Sequence, residues 1–92
     1  MSELDKLAKY LSENGYNFKR KDTNDSIFPF HSVVVYDENG EYQWDAICHR
    51  GSYGYEQGLL EIMGTIVDEN AGDSVEGWLT AQDIIDRLEA VA

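Results

Sequence analysis

The side chains with the clearest chemical potential in this sequence are one cysteine and two histidines, at Cys48, His49 and His31. Cys48 and His49 are adjacent, but consecutive residues of a strand point to opposite faces of a sheet, so they could work as nucleophile and base only if the strand ends before Cys48. A lone inward cysteine is more typical of a core. The three residues are also too few, and lack the paired spacing, for a zinc site, unless a carboxylate completes it. We expect no catalytic residue, no metal and no cofactor.

A glycine-rich, aromatic segment follows at once, with glycines at positions 51, 54 and 58. This spacing is neither the dinucleotide-binding pattern nor that of a phosphate loop with a following lysine. Arg50 precedes a predicted helix, whose free amides would hold an anion, so one alternative function is a small anion-binding, ligand-binding or enzymatic module. The residues of that site would be His49, Arg50, Tyr53 and Tyr55. The simpler interpretation is a tight strand-to-helix connection in which the tyrosines cap the core.

Charge dominates the rest of the sequence, which has a net charge of −11. Fifteen of the eighteen carboxylates follow Lys21, together with only two cations, Arg50 and Arg87. A long acidic segment, 22–92, that follows a short basic segment, 1–21, repels nucleic acid and attracts basic protein surfaces. We therefore expect a protein partner with a basic surface and no direct nucleic-acid binding. The candidate binding carboxylates are Asp37, Glu38, Glu41, Asp45, Asp68, Glu69, Asp73 and Glu76.

These carboxylates allow two interpretations. They could serve only solubility, because surface charge runs are usually solvated faces. Alternatively, they imitate the spacing of nucleic-acid phosphates and occupy the basic cleft of a DNA- or RNA-binding protein.

Composition limits the chain to one folded unit. Its 92 residues are 42% hydrophobic and 12% aromatic, which suits a single domain spanning 1–92, since disordered acidic chains are poor in aromatic residues.

The single cysteine excludes an internal disulfide, and the N-terminus has neither the basic start nor the apolar run of a signal peptide. No apolar run reaches the length of a membrane helix. We expect a cytoplasmic protein without a membrane partner.

Hydrophobic periodicity predicts an α+β fold in the order α-β-β-β-α-α. The expected structure is a small antiparallel three-stranded sheet with helices packed on one face, and 75–79 forms a fourth short strand or an extended lead-in. The first helix begins at Ser2 and ends at Asn14-Gly15. A second helix is predicted from the apolar stripe Leu59, Ile62, Met63, Ile66 and Val67, and a third has Thr80 as its N-cap.

The clearest local prediction is a hairpin of 31–36 with 41–48, turning at Asn39-Gly40. Two registers are open, one pairing Val35 with Tyr42 and the other pairing Val35 with Trp44. In both, one face is the core and contains Val33, Val35, Tyr42, Trp44, Ala46 and Cys48. The opposite face is too apolar for an ordinary solvated surface and too polar for a second core, so we expect a helix, a loop or a partner to cover part of it. Its candidate binding residues are Val34, Tyr36, Asp45 and Ile47.

Three segments, 44–49, 51–61 and 75–80, resemble small acidic proteins encoded in prophages and mobile elements of Gram-positive bacteria. The resemblance carries no catalytic signature. It implies a phage or mobile-element setting, and together with the charge imbalance and the half-apolar hairpin face it suggests a non-enzymatic accessory protein that acts through protein–protein binding. Because phages use small acidic proteins against host defence, it also suggests an inhibitor that works by DNA mimicry or as an anti-CRISPR protein. A structural homo-oligomer, such as a homodimer through the hairpin, is the remaining alternative.

Overall fold

The computed structural model describes residues 1–23, 29–68 and 74–91. It contains two helices, α1 (Glu3–Glu13) and α2 (Ala81–Val91), and one 3-10 turn, Tyr55–Gln57. Its strands are β1 (Asn17–Thr23), β2 (Phe30–Tyr36), β3 (Tyr42–His49), β4 (Leu60–Gly64) and β5 (Val75–Leu79). All five form one antiparallel sheet in the order β1-β2-β3-β4-β5. The α+β class is therefore confirmed, with more strands and fewer helices than predicted.

Both helices begin where the sequence predicts. The Ser2 hydroxyl accepts from the Asp5 amide at 3.0 Å, and the Asp5 carboxylate accepts from the Ser2 amide at 3.1 Å. Thr80 and Asp83 form the same reciprocal pair at the start of α2. Such caps satisfy amides that have no partner within the helix and stabilise each helix by about 1 kcal/mol. Within the described segments, no helix is long and apolar enough to span a membrane.

The core lies between the two helices and one face of the sheet, which we call the inner face. Full burial of an aliphatic side chain stabilises the fold by about 1.5–3 kcal/mol, so this layer is the main source of stability. The buried hydrophobic residues are Leu4, Leu7, Leu11, Val33, Val35, Trp44, Ala46, Leu60, Ile62, Ala81, Ile84 and Leu88.

The predicted second helix is wrong, because its central residues form β4. Leu60 and Ile62 point into the core while Met63 is exposed, which is the alternation of a strand. Glycines bound this strand in left-handed conformations, with φ 71° at Gly58 and 107° at Gly64. A Cβ on Gly64 would lie 2.5 Å from the Gln43 carbonyl oxygen. The close backbone approach that glycine permits is therefore between β4 and β3.

The hairpin combines features of both predicted registers. Val35 pairs with Trp44, but a bulge follows, and Tyr36 then pairs with Tyr42. The extra residue opposite this step, Gln43, moves Tyr42 off the predicted core face. Tyr42 is 48% exposed, so its assignment to the core is wrong, whereas the valines, Trp44 and Ala46 are buried as predicted. The segment 75–79 is confirmed as a strand, β5.

Candidate functional site

The sheet brings two acidic regions of the sequence to the same end of the molecule. β4 ends beside the start of β3, where Gly64 pairs with Trp44 and the Thr65 amide donates to the Gln43 carbonyl at 2.9 Å. The β2–β3 turn and the segment after β4 therefore lie close together. We call their carboxylates, Asp37, Glu38, Glu41 and Asp68, the acidic end. The predicted residues Glu69 and Asp73 lie outside the described residues.

Asp37 has a structural role within this end. Its Oδ1 accepts from the amides of Asn39 at 2.8 Å and Glu41 at 2.9 Å, which holds the turn closed. Glu38 and Glu41 are exposed. Because neither carboxylate accepts the turn amides, these two side chains are available to set the surface potential.

Glu76 contacts the acidic end through one hydrogen bond, in which its Oε1 accepts from the Asp68 backbone amide at 2.6 Å. It points to the inner face, where Arg87 of α2 donates to its two carboxylate oxygens at 2.6 and 2.9 Å. The paired guanidinium lowers the pKa of Glu76, and the carboxylate raises that of Arg87. The same guanidinium donates to the Ile66 carbonyl at 3.0 Å. This predicted binding residue therefore ties α2 to β5.

The other face of the sheet, the outer face, has neither helix packed on it. Val34, Tyr36, Asp45 and Ile47, the predicted binding residues, all lie there in half-buried positions. Met63 joins them from β4, opposite Asp45, and is 46% exposed. Because side chains alternate between the two faces along β2 and β3, the predicted apolar residues lie on one face, as expected.

Only part of the outer face is open. Near the glycine-rich loop, Ser32 and Glu61 are buried, and Glu61 accepts the Tyr53 amide at 3.1 Å. Toward the acidic end, Tyr42 and Met63 remain exposed. The Tyr42 hydroxyl donates to Asp45, and partial desolvation of this hydroxyl together with the carboxylate raises the pKa of Tyr42. We call Tyr36, Tyr42, Asp45 and Met63 the open patch.

The glycine-rich loop forms a cleft of about 550 Å³ rather than a helix start. Gly54 takes a left-handed conformation, φ 97°, and only a single 3-10 turn follows it. The α-helix whose free amides were expected to hold an anion therefore does not form at this position. Three of the four predicted loop residues, Arg50, Tyr53 and Tyr55, line the cleft. His49 does not. Its ring stacks on Phe30, with centroids 5.0 Å apart, and its Nδ1 donates to the Arg50 carbonyl at 2.9 Å.

Trp78 is a cleft residue that the sequence reasoning missed. Its indole stacks on Tyr53 at a centroid distance of 5.1 Å and is 57% exposed. Its backbone has φ 56°, a conformation that costs a bulky residue of order 1–3 kcal/mol. Gly77 allows this packing, because a Cβ there would collide with Tyr53. The dipeptide Gly77-Trp78 is the sequence signal that could have identified the residue.

A second missed cluster crosses three adjacent strands on the inner face. Asp22 pairs with His31, and His31 pairs with Cys48. The Asp22 carboxylate lies 2.6 Å from His31 Nδ1, and Arg20 donates to the same carboxylate at 2.9 Å. His31 and Cys48 line a cavity of about 290 Å³ beside the start of α1. Burial raises the pKa of the Cys48 thiol. Only the β1–β2 register, which the sequence did not predict, brings these residues together.

Within the described part of the chain, no group of three His, Cys, Asp or Glu side chains is arranged to hold a metal ion. Comparison with protein-family models, with curated proteins and with solved structures gave no match. The site is therefore interpreted from its own geometry.

Proposed function

We propose that this protein is a non-enzymatic accessory protein that binds another protein through the open patch and the adjoining acidic end. One observation supports this most directly: the sheet has both helices on its inner face, while Tyr42 and Met63 are exposed on the other side. Large exposed apolar side chains next to polar groups are typical of recognition surfaces.

The chemistry of the two regions defines the partner. Tyr and Met are enriched in the apolar centre of interfaces, and charged groups surround such centres as a rim. Here the rim is acidic on the side of the β2–β3 turn, where Glu38 and Glu41 are exposed beside the patch, while Lys19 of β1 lies 5.9 Å from the centroid of the Tyr36 ring. The complementary partner is a protein whose apolar contact area is bordered by Lys and Arg. Rim charges mainly accelerate association, so binding should weaken as salt rises.

A narrower form of the proposal is inhibition of a nucleic-acid-binding or defence protein by DNA mimicry. The placement of the acidic turn and the segment after β4 at one end of the sheet supports it, because a basic nucleic-acid cleft attracts negative charge. In this form, duplex DNA competes with the protein for its partner. A partner bound mainly by the open patch would instead be insensitive to DNA.

Affinity capture from a host-cell lysate, with matched variants, tests the proposal. Glu38→Gln/Glu41→Gln removes two charges at the acidic end, and Tyr42→Ser/Met63→Gln removes the apolar centre. Glu56→Gln/Asp86→Asn removes two exposed charges elsewhere and is the control. We expect the control to retain one specific partner that both test variants lose. Equal retention by all three variants would contradict the proposal.

Light scattering on the same samples tests whether the partner is a second copy of this chain. In that case the wild type should form a dimer, and Tyr42→Ser/Met63→Gln should abolish it.

The cleft supports a second candidate function, the binding of a small planar anion. The exposed indole of Trp78 offers a stacking surface, and Arg50 lines the same space as a cation. The volume of about 550 Å³ is within the range of small-molecule sites.

Tryptophan fluorescence tests this candidate, because Trp44 is buried and Trp78 is exposed. Titration with benzoate should change the emission saturably in the wild type and not in Trp78→Phe, whereas inorganic phosphate, which is tetrahedral and cannot stack on the indole, should give a weaker response. Arg50→Gln should weaken the response to benzoate. A linear, non-saturating response to benzoate would rule out this function.

A further inference from the structure

We infer that the edge of β1 facing away from β2, which we call the free edge, binds an extended acidic segment of a partner protein as an additional strand. The inference goes beyond the proposed function, because it uses the backbone and two lysines of β1 and involves neither Tyr42 nor Met63. Strand addition of this kind takes its affinity from main-chain hydrogen bonds and its specificity from alternate side chains.

β1 is an outermost strand of the sheet, and within the described residues it pairs only with β2. Its seven residues pair with β2 one to one without a bulge, and five of the seven are exposed. The strand at the other side of the sheet, β5, has an irregular pairing with β4, and its Trp78 amide donates to the Tyr53 carbonyl at 3.2 Å. The regular, exposed edge of this sheet is therefore that of β1.

Hydrogen bonds at the end of β1 show which of its backbone groups face β2. The Phe30 amide donates to the Thr23 hydroxyl at 3.1 Å, and this hydroxyl donates to the Phe30 carbonyl at 3.4 Å. Both backbone groups of Phe30 therefore face β1, so Phe30 and Thr23 form a pair of the hydrogen-bonded type. Because the two types of pair alternate along an antiparallel ladder, Lys19 and Lys21 also direct their backbone groups to β2.

By the same alternation, Phe18, Arg20 and Asp22 direct their amides and carbonyls to the free edge. In the part of the chain that the structure describes, these groups have no hydrogen-bond partner outside the sheet. The Arg20 side chain does not cross the edge, because it is held on the inner face by Asp5 at 2.8 Å and Asp22 at 2.9 Å. A row of unpaired amides and carbonyls of this kind is a template for another strand.

Charge on the outer face selects an acidic strand. Lys19 pairs with the outer-face residue Val34, so Lys19 and Lys21 both project from the outer face, and both are exposed. Residues opposite them in an added strand would have Cβ atoms about 4.5–5.5 Å away, where opposite charges stabilise the pairing. Five of the seven basic residues lie in 1–21, which forms α1 and β1, so an acidic segment is repelled least on this side.

A second copy of β1 fits the free edge poorly. If two copies of β1 pair in antiparallel orientation with the centre at any of residues 19–21, at least one lysine faces a lysine of the other copy. Like charges directly opposite each other destabilise a strand pair, and edge lysines commonly prevent self-association. The two lysines that disfavour a second copy are therefore the ones that favour an acidic segment.

Two capped peptides of about ten residues test the assignment, one alternating Glu with Thr and the other alternating Lys with Thr. Their pattern repeats every two residues, so a shift of register by two keeps each charge opposite Lys19 and Lys21. Amide exchange followed by NMR should show slow exchange at both lysines in the free protein and fast exchange at Phe18, Arg20 and Asp22. The Glu peptide should slow exchange at these three amides about tenfold or more, and the Lys peptide should not.

Matched variants separate the contribution of charge from that of the backbone. Lys19→Gln/Lys21→Gln should weaken binding of the Glu peptide about fivefold, whereas Lys6→Gln/Lys9→Gln, with the same net charge, should bind like the wild type. Arg20→Pro removes an amide at the free edge, where proline is tolerated, and should abolish binding. Arg20→Ala loses the same side chain but keeps the amide, so it should still bind.

Several outcomes would overturn the inference. These are no binding of the Glu peptide, equal affinity for both peptides, or binding that leaves exchange at Phe18, Arg20 and Asp22 unchanged. Slow exchange at these amides that depends on protein concentration would instead identify a second copy as the occupant. Tyr42→Ser/Met63→Gln should bind the Glu peptide with wild-type affinity, so failure of the proposed function and failure of this inference can be distinguished.

Discussion

The two faces of the sheet use the same central strands but differ in what covers them. On the inner face, Val33, Val35 and Ile62 are fully or almost fully buried under the helices. On the outer face, the neighbouring residues of the same strands include Met63, which is exposed. A one-residue step along a strand thus separates residues that determine stability from residues free to contact a partner. The comparison predicts that substitutions on the two faces have separable effects.

The largest effect should come from the inner face. Leu7 of α1 is completely buried in the core, so Leu7→Ala removes apolar contacts and leaves a cavity. We expect the free energy of unfolding to fall by about 2–5 kcal/mol. Urea denaturation followed by circular dichroism measures this change. A loss below about 1 kcal/mol would mean that the core is not packed as described.

The next largest effect tests the backbone contact between β3 and β4. Gly64→Ala places a Cβ against the Gln43 carbonyl in a left-handed conformation, and we expect a loss of about 1–3 kcal/mol. Gly40→Ala is the matched control, because Gly40 has φ 81° but no atom within 4 Å of the added Cβ. Urea denaturation of both proteins should show the greater loss for Gly64→Ala. Equal losses of unfolding free energy in the two variants would mean that the left-handed backbone conformation, and not the contact with Gln43, causes the destabilisation.

A smaller effect is expected at the ion pair that holds α2 to β5. Glu76→Gln weakens the two bonds from Arg87, which should cost about 1–2 kcal/mol at neutral pH. Because the folded pKa of Glu76 is lowered, its contribution is present above about pH 4.5 and is lost as the pH falls through the folded value.

Denaturation midpoints measured from pH 7 to pH 3 test this dependence. The difference between wild type and Glu76→Gln should shrink on acidification. A difference that stays constant over this range would show that the carboxylate charge is not responsible.

The smallest effect on stability should come from the open patch. Met63→Gln exchanges one half-exposed side chain for another of similar length, so the free energy of unfolding should change by no more than about 0.5 kcal/mol. The same substitution should weaken partner binding, measured by titration calorimetry. If Met63→Gln lowers the stability but keeps the affinity for the partner, the outer face contributes to stability and not to binding, which contradicts the account.

Much of this two-faced arrangement follows from local sequence. The alternation through β2 and β3 identifies Val33, Val35, Trp44 and Ala46 as core residues in either register, and the capping residues locate both helices. Tyr42 was misplaced because a bulge adds a residue without leaving a distinct pattern. β4 was predicted as a helix because the spacing of its apolar residues satisfies both periods over so short a segment.

The candidate sites were harder to predict because they depend on contacts between distant segments. The acidic end requires β4 to run beside β3, and the row from Asp22 to Cys48 requires the pairing of β1 with β2. The cleft depends on β5, which brings Trp78 to Tyr53. Sequence periodicity assigns residues to faces, but it does not specify which strands become neighbours.

Hydrogen–deuterium exchange on the captured complex tests the central claim most directly. If the open patch and acidic end bind the partner, amides of the 37–42 turn and the end of β4 near Met63 should become protected. The helices and the 50–58 loop should exchange as in the free protein. Protection confined to that loop, or to α1 and α2, would contradict the proposed interface.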